Sequence, residues 1–238
     1  MIVWSDVSLS FVRIWLIELV WKQFNHKWTT HNDGFVSVPI QTGQAMLSLI
    51  VLAAGKSTRM RGRNKLLVKI DGKPMIRRVV ENALSAKVDE VVVVLGWEAK
   101  KIRVTLDDLP CRFVVNKDYQ KGQSSSVRAG LKEVEEHTEA ILILPGDVAM
   151  IDSRSINMVV EEYNNRGNLI AVASFSGRAG HPILFSKQLF KEIEQIEEKT
   201  FGLKAVVSRH EGEVSMVETG SEYVLRDVDT PKDLKLLK

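Results

Sequence analysis

The sequence predicts an α/β fold with a mainly parallel sheet that is covered by helices on both faces. Short runs such as Glu90–Leu95 (EVVVVL) are continuously β-branched or apolar after their first residue, which is typical of strands buried on both sides. Between residues 47 and 173 these runs alternate with segments of helical period, the spacing expected of strand–helix–strand units. In such sheets, ligands bind beyond the carboxyl ends of the strands.

The individual elements follow from these patterns and from their end signals. Pro74 suits the first turn of a helix, Ser124 or Ser125 can cap a second one, and Asp152 or Ser153 a third. The predicted strands are residues 47–53, 90–95, 112–115, 140–144 and 169–173, with a further strand at Tyr223-Val224-Leu225. The predicted helices are residues 74–85, 98–106, 124–136 and 152–165.

The amino-acid composition excludes several classes of protein and kinds of site. The chain of 238 residues, 45% apolar and 26% charged, is that of a globular protein with room for one core and an appendage. A net charge of +3 is too small to indicate a nucleic-acid partner. The single cysteine, Cys111, excludes a disulfide framework and a cysteine-based zinc site. We expect a cytoplasmic protein that binds no nucleic acid.

Residues 1–45 differ in amino-acid composition from the rest of the chain and contain four of its five tryptophans. Their apolar stretch at 11–21 contains Arg13 and Glu18 and is too short for a membrane span. They could form an amphipathic helix that packs on the domain or a partner, or an interfacial membrane anchor. We favour a third interpretation, a misassigned start with Met46 as the natural first residue. Residues 46–238 then form the functional domain.

The loop after the first strand carries the strongest functional signal. Residues 55–58 (GKST) look like the end of a Walker A motif, but that motif requires a glycine where this chain has Ile50. Small residues at 53–55 would let backbone amides approach phosphate oxygens closely. Arg59 and Lys65 could neutralise a triphosphate. The alternative is a polar surface loop with solvated charges.

Five motifs in order resemble those of the molybdenum cofactor cytidylyltransferase family. They are LAAGKSTRM at 52–60 with NKLL at 64–67, Asn116 with GQSSSVRAG at 122–130, LPGD at 144–147, GHPILF at 180–185 and DVDTPKDL at 227–234. The resemblance implies a three-layer, Rossmann-like nucleotidyltransferase fold and Mg²⁺-dependent transfer of CMP from CTP to molybdopterin, with release of pyrophosphate. Two departures are Val148-Ala149 in the third motif and residues 199–203, which keep only the last glycine of a G-D-x-G pattern.

The resemblance also implies roles for individual residues. Arg59, Lys65 and Asp147 would be catalytic. Nucleotide binding would involve Leu52, Ala53, Ala54, Gly55, Ser57, Arg59, Lys65, Asn116, Gly122, Ser124, Ser125 and Ser126. The metal ligands would be Asp147 and Asp229, with Asp227 competing for the second place, although either aspartate could be a turn or cap residue. His181 would contact the acceptor, unless it is a loop histidine satisfied by the backbone. Ala54 favours CTP, because relatives that use GTP tend to have glycine there.

Other functions stay open on the sequence. The same fold could use GTP, or another phosphorylated acceptor such as a sugar phosphate or phospholactate. A non-catalytic nucleotide-binding chaperone for a molybdenum hydroxylase apo-enzyme is the alternative from another class. It is disfavoured because Arg59, Lys65 and Asp147 are all present.

Overall fold

The structure, a computed structural model, describes residues 45–60 and 62–235 of the chain. The hypotheses about the N-terminal extension concern residues that lie almost entirely outside this part. Within the described ranges, none of the helices has the length and apolarity that crossing a membrane requires.

The predicted fold class is confirmed: the core is a mainly parallel sheet of seven strands. In chain order these strands are β1 (Met46–Ala53), β4 (Glu90–Leu95), β5 (Arg112–Val115), β6 (Thr138–Pro145), β7 (Ile170–Phe175), β8 (Arg178–Ser186) and β9 (Val214–Glu218). Their spatial order is β5-β4-β1-β6-β8-β7-β9. Only β8 runs antiparallel to its neighbours, β6 and β7. Two short strands, β2 (Lys69–Ile70) and β3 (Lys73–Pro74), form a separate pair.

Helices cover both faces of this sheet. They are α1 (Met75–Leu84), α2 (Ala99–Leu106), α3 (Gln123–Leu131), α4 (Ser153–Arg166), α5 (Phe190–Ile193), α6 (Leu203–Arg209) and α7 (Pro231–Lys235). Neighbouring residues of a strand point to opposite faces, so Leu49 and Val51 belong to one apolar cluster, with α1, α2 and α4. Ile50 belongs to the other cluster, with α3, α5 and α6. This gives the three layers that the sequence predicted.

The central strands form because their residues gain from burial on both sides. All six residues of β4 are buried, as the continuous apolar run predicted. Burying a valine or leucine side chain fully is worth about 1.5–3 kcal/mol, and the β-branched valines of β4 also favour the extended conformation of a strand. The carboxyl ends of β1, β4 and β6 therefore lie at one edge of a rigid sheet, because these strands are parallel and adjacent.

The structure corrects three predicted elements. Strand β8 was not predicted, because Gly180 and Pro182 resemble a loop; it forms because its apolar second half is buried between β6 and β7. The segment predicted as a strand at 223–225 is part of a 3₁₀ helix, Glu222–Leu225. Helix α3 ends at Leu131 and not near 136, since the charged residues that follow have little apolar surface to bury.

The predicted helix caps have mixed outcomes. Asp152 caps α4, its side chain accepting a hydrogen bond of 2.7 Å from the Ser155 amide. The serines predicted to cap α3 do not do so, because α3 begins at Gln123 and places them inside its first turn. Gly122 holds the N-cap position instead.

Candidate active site

A cleft of about 430 Å³ lies at the carboxyl ends of β1 and β6. Its walls come from the loop after β1, the turn after β6, the segment around the start of α3, strand β8 and the C-terminal segment before α7. The predicted site residues that line it are Leu52, Ala54, Gly55, Ser57, Arg59, Lys65, Gly122, Ser126, Asp147, His181 and Asp229. One continuous cleft thus brings together residues from all five motifs.

The loop after β1 is shaped to present Lys65. Asn64 precedes the 3₁₀ helix Lys65–Leu67 and caps it by accepting a hydrogen bond of 3.1 Å from the Leu66 amide. Ser57 adopts a positive φ of 51°, and its hydroxyl accepts a hydrogen bond of 3.1 Å from the Lys65 amide. These contacts close the loop on itself, so the Lys65 side chain leaves from a fixed backbone.

Lys65 bridges two acidic segments that are far apart in the chain. Its ammonium group pairs with Asp147 and, at 2.7 Å, with Asp229, which also pairs with Arg59. Burial by itself would lower the pKa of Lys65, but the two carboxylates outweigh burial and raise it. The hydrogen bond from Lys65, aided by the charge of Arg59, lowers the pKa of Asp229. Both groups are therefore charged at neutral pH.

Three carboxylates in this cluster could hold a metal ion. One oxygen from each of Asp147, Asp227 and Asp229 lies within 4.8 Å of the others. Asp147 also has a buried oxygen, Oδ1, with no hydrogen-bond partner among the described residues. Hard divalent cations such as Mg²⁺ prefer carboxylate oxygens, and an unpaired buried carboxylate oxygen is costly without such a ligand. The donor set therefore fits a divalent cation.

The C-terminal segment explains why both candidate second ligands join the cluster. Val228 is buried, and its amide donates a hydrogen bond of 3.0 Å to the carbonyl oxygen of Asp147. In an extended segment, the residues on either side of a buried one share the opposite face. Asp227 and Asp229 thus both face Asp147, and the structure brings the two competing candidates together.

His181 lies in β8, so the alternative interpretation of a loop histidine satisfied by the backbone is wrong about its location. It lines the cleft, and its Nδ1 atom is buried without a hydrogen-bond partner among the described residues. Burial lowers the pKa of His181, although Asp147 and Asp227 oppose this effect. The wall of the cleft therefore contains a neutral imidazole whose Nδ1 atom is buried and has no partner among the described residues.

The end of the cleft next to α3 carries no charged side chain among the described lining residues. Tyr119, Gly122, Gln123 and Ser126 form this end, where Ala54 also lies. Sequence reasoning missed Tyr119 and Gln123. Their only signal was position: Gln123 follows Gly122 in the second motif, and Tyr119 lies between Asn116 and Gly122. Lys56, the lysine of the false Walker motif, lies over the Tyr119 ring at 5.9 Å from its centroid.

Four predicted nucleotide-binding residues do not line the cleft. Ala53 is fully buried in β1. The amide of Asn116 donates hydrogen bonds of 2.8 and 3.0 Å to the hydroxyls of Ser125 and Ser126. The Ser125 hydroxyl in turn donates to the Gly122 carbonyl at 2.8 Å. Ser124 binds Glu198. Asn116 and Ser125 thus stabilise the start of α3 by hydrogen bonds and do not line the cleft.

Known proteins resemble this chain in sequence and fold. Bifunctional protein GlmU from Desulfotalea psychrophila is 28% identical over 142 residues, which are 59% of this chain and 41% of that protein. The chain spans less than half the length of the GlmU proteins that it matches.

Among solved structures, Rv0371c from Mycobacterium tuberculosis H37Rv has a TM-score of 0.72 at 24% identity, covering 81% of this chain and 97% of that one. CMP:2-keto-3-deoxy-manno-octonic acid synthetase, solved with CTP, has a TM-score of 0.66 at 16% identity, covering 81% and 97%. Both likenesses concern the fold. The family model of the MobA-like NTP transferase domain matches residues 49–214, most of the chain. With its five motifs gathered on one cleft, the chain belongs to the family of MobA-like NTP transferase domains.

Proposed function

We propose that this protein is a Mg²⁺-dependent nucleotidyltransferase that transfers CMP from CTP to a molybdopterin-type acceptor and releases pyrophosphate. The observation that carries the proposal is the division of the cleft. One end holds Arg59, Lys65 and the three carboxylates, and the other end has no charged side chain among the described lining residues. A nucleoside triphosphate has the same division, between a polyanion and a neutral base.

Arg59 and Lys65 are suited to bind the triphosphate. Lys65 has three N–H donors, of which the aspartates engage two, so the third can bind a phosphate oxygen. Among the described residues, Arg59 pairs only with the part-exposed Asp229, and its side chain is 67% exposed, so it can turn toward a phosphate at little cost. Neutralising charge at the α-phosphate and the leaving pyrophosphate is the main requirement of such a transfer.

The cluster of three carboxylates is the proposed binding site for Mg²⁺. Asp147, Asp227 and Asp229 would hold Mg²⁺, which supplies Lewis-acid stabilisation of the phosphate oxygens when bound. A second structure of Rv0371c contains manganese, which supports a divalent cation in this fold. Lys65 keeps two of the carboxylates oriented and prevents their mutual repulsion from separating them.

The acceptor would enter beside His181. Its buried Nδ1 needs a hydrogen-bond partner, and a polar group of the acceptor can supply one. Holding the acceptor phosphate and the α-phosphorus in one cleft makes the attack effectively unimolecular, which supplies much of the rate enhancement. A molybdopterin phosphate is our choice because the five motifs resemble those of molybdenum cofactor cytidylyltransferases.

CTP is favoured as the donor by two observations. Ala54 lies in the cleft at the position where GTP-using relatives tend to have glycine, and its side chain reduces the room for a larger base. The synthetase solved with CTP shares this fold. A cytoplasmic enzyme with a molybdenum hydroxylase as the recipient of its product is consistent with this proposal.

Pyrophosphate release tests the proposal directly. The purified protein is incubated with Mg²⁺, each of the four NTPs in turn, and molybdopterin cofactor, a sugar phosphate or phospholactate as acceptor. We expect release with CTP and molybdopterin only. Turnover with GTP and not CTP would overturn the base assignment, and turnover only with another acceptor would overturn the acceptor. Nucleotide binding with no release from any pair would favour a non-catalytic chaperone.

A further inference from the structure

We propose that Lys65 and the divalent cation compete for the same carboxylates. In the metal-free protein the ammonium group of Lys65 occupies the cluster, and a bound metal releases it toward the triphosphate. The proposal deepens the proposed function and rests on its Mg²⁺ site. It links the binding of metal to the binding of phosphate through a single side chain.

The ammonium group of Lys65 lies among the oxygens that would bind the metal. Its Nζ atom donates hydrogen bonds to Oδ2 of Asp147 and, at 2.7 Å, to Oδ1 of Asp229. One oxygen of each of these aspartates and one of Asp227 lie within 4.8 Å of one another. A cation that binds the cluster must therefore come close to the ammonium group.

Asp229 has both of its oxygens engaged by cationic groups. Lys65 binds Oδ1, and a guanidinium N–H of Arg59 binds Oδ2. A metal at Asp229 must displace one of these groups, or share an oxygen with it against the repulsion of like charges. The Lys65 side chain is only 14% exposed, whereas that of Arg59 is 67% exposed. Water screens the charge of Arg59, so the repulsion acts mainly on Lys65.

A divalent cation matches this cluster better than the ammonium group does. Lys65 leaves Oδ1 of Asp147 buried and without a partner among the described residues, and Asp227 is not among the groups that it binds. A single positive charge balances one of the three carboxylates. A divalent cation balances two and coordinates several oxygens at once. The metal should therefore take the oxygens from Lys65.

The carboxylates keep their places when Lys65 leaves, because backbone contacts hold them. The Val228 amide donates a hydrogen bond of 3.0 Å to the carbonyl oxygen of Asp147. The Asp229 amide donates one of 3.0 Å to the side chain of Asp233. These bonds fix the C-terminal segment against the turn after β6 without any contribution from the lysine.

Release makes Lys65 a better ligand for phosphate. In the metal-free protein, the aspartates engage two of its three N–H donors. Its backbone is held by the hydrogen bond of 3.1 Å from its amide to the Ser57 hydroxyl. A change of side-chain rotamer is then sufficient to turn the ammonium group further into the cleft, which Lys65 already lines. The metal thus adds donors for the triphosphate beyond its own charge.

The test measures Mn²⁺ binding to the full chain without nucleotide, by a titration followed with electron paramagnetic resonance. In Lys65→Met, an uncharged side chain of similar length replaces the competing cation. We expect the dissociation constant for Mn²⁺ to fall at least about 10-fold, because the metal no longer displaces a positive charge from the carboxylates. Lys65→Arg restores a cation and should keep the affinity close to that of the wild type.

Lys56→Met is the matched control, because it removes the same charge from the same loop. Lys56 lies over the Tyr119 ring and is not among the cations that pair with the cluster. This variant should leave the Mn²⁺ affinity nearly unchanged. An equal gain in Lys56→Met and Lys65→Met would indicate a general effect of net charge. An unchanged or weaker affinity in Lys65→Met would mean that the lysine supports the metal. Either result would overturn the proposal.

A measurement on the wild type does not depend on the folding of a variant. Acetic anhydride modifies free lysine amines, and mass spectrometry follows each lysine separately. The rate of acetylation at Lys65 should rise several-fold when Mn²⁺ binds, while the rate at Lys56 stays constant. An unchanged rate at Lys65 with the metal bound would contradict the release. If neither the wild type nor any variant binds Mn²⁺, the metal site of the proposed function fails too, which distinguishes the two failures.

Discussion

Replacing Asp147 with asparagine removes one negative charge from the centre of the carboxylate cluster with almost no change in shape. Asp147 pairs with Lys65 through one oxygen and leaves the other buried without a partner among the described residues. The ligand oxygens of Asp227 and Asp229 lie within 4.8 Å of it. The substitution therefore removes both an attraction to Lys65 and a repulsion from two like charges.

The magnitudes of these effects nearly cancel in the absence of metal. Two unit charges 4.8 Å apart, the upper limit of the separations in the cluster, repel by roughly 3 kcal/mol at the effective dielectric constant of such sites, so the two like-charge pairs of Asp147 together contribute roughly 6 kcal/mol. The attraction to Lys65 is comparable, and Lys65 retains Asp229 at 2.7 Å. We expect the metal-free Asp147→Asn protein to change its free energy of unfolding by about 1 kcal/mol or less, which corresponds to a Tm shift of about 4 °C at most.

The increase in Tm on addition of Mg²⁺ and CTP should differ sharply between the wild type and Asp147→Asn. A ligand at 100 times its Kd stabilises a protein by about 2.7 kcal/mol, or roughly 5–11 °C in Tm for a domain of this size. Thermal unfolding with Mg²⁺ and CTP should show this increase in the wild type and little of it in Asp147→Asn. The Mg²⁺-dependent rate of pyrophosphate release should fall at least about 100-fold.

A matched control is Asp107→Asn, at the exposed C-terminal end of α2 and outside the cleft. It should keep both the wild-type rate and the wild-type increase in Tm. A normal metal-dependent increase, or a normal rate, in Asp147→Asn would refute the assignment of Asp147 as a metal ligand.

Three further substitutions test other parts of the structure. In Gly96→Ala, the new methyl group would lie 2.7–2.8 Å from Ala54, so denaturant unfolding should show a loss of about 1–3 kcal/mol; unchanged stability would contradict this packing. In Gly55→Ala, the methyl group meets nothing within 4 Å, so stability should be kept while calorimetry shows weaker NTP binding; unchanged affinity would argue against phosphate contact at this loop. Hydrogen bonds to Glu192 and Glu213 raise the pKa of His210, so its charged form stabilises the fold below the unfolded pKa, and that stability is lost as pH rises through the folded pKa. Between pH 6 and 8 the wild type should therefore lose up to about 1 kcal/mol relative to His210→Asn, and parallel pH profiles would refute this.

The parts of the fold that could be predicted are those with a strong local signal. The run at Glu90–Leu95 is apolar and almost entirely β-branched after its first residue, so it indicates a strand. Strand β8 has no such signal in its first half. Its place between β6 and β7 depends on the burial of Phe185 and its neighbours by distant residues, which no local pattern expresses.

The candidate site divides in the same way. The loop after β1 and Asp147 follow directly from strands and could be located from the sequence. The direction in which each side chain points could not be predicted from the sequence. Asn116 turns away from the cleft to bind two serines, and Ser124 turns to Glu198, because buried polar groups must find partners wherever the fold supplies them. The contact between Glu198 and α3 could not have been predicted, since it forms only in the folded chain.

The bridge formed by Lys65 also has a consequence for folding. Arg59 and Lys65 reach Asp229 across sequence separations of 170 and 164 residues. Contacts between residues so far apart in the chain form late in folding, because the entropy cost of closing the long intervening loop comes before the contact can stabilise the chain. During synthesis, which proceeds from the N-terminus, the loop after β1 emerges well before the aspartate that completes its charge pairs. A nascent or partly folded chain therefore has an excess of positive charge at this loop, and the cluster of Lys65 with its carboxylates is complete only in the last stage of folding.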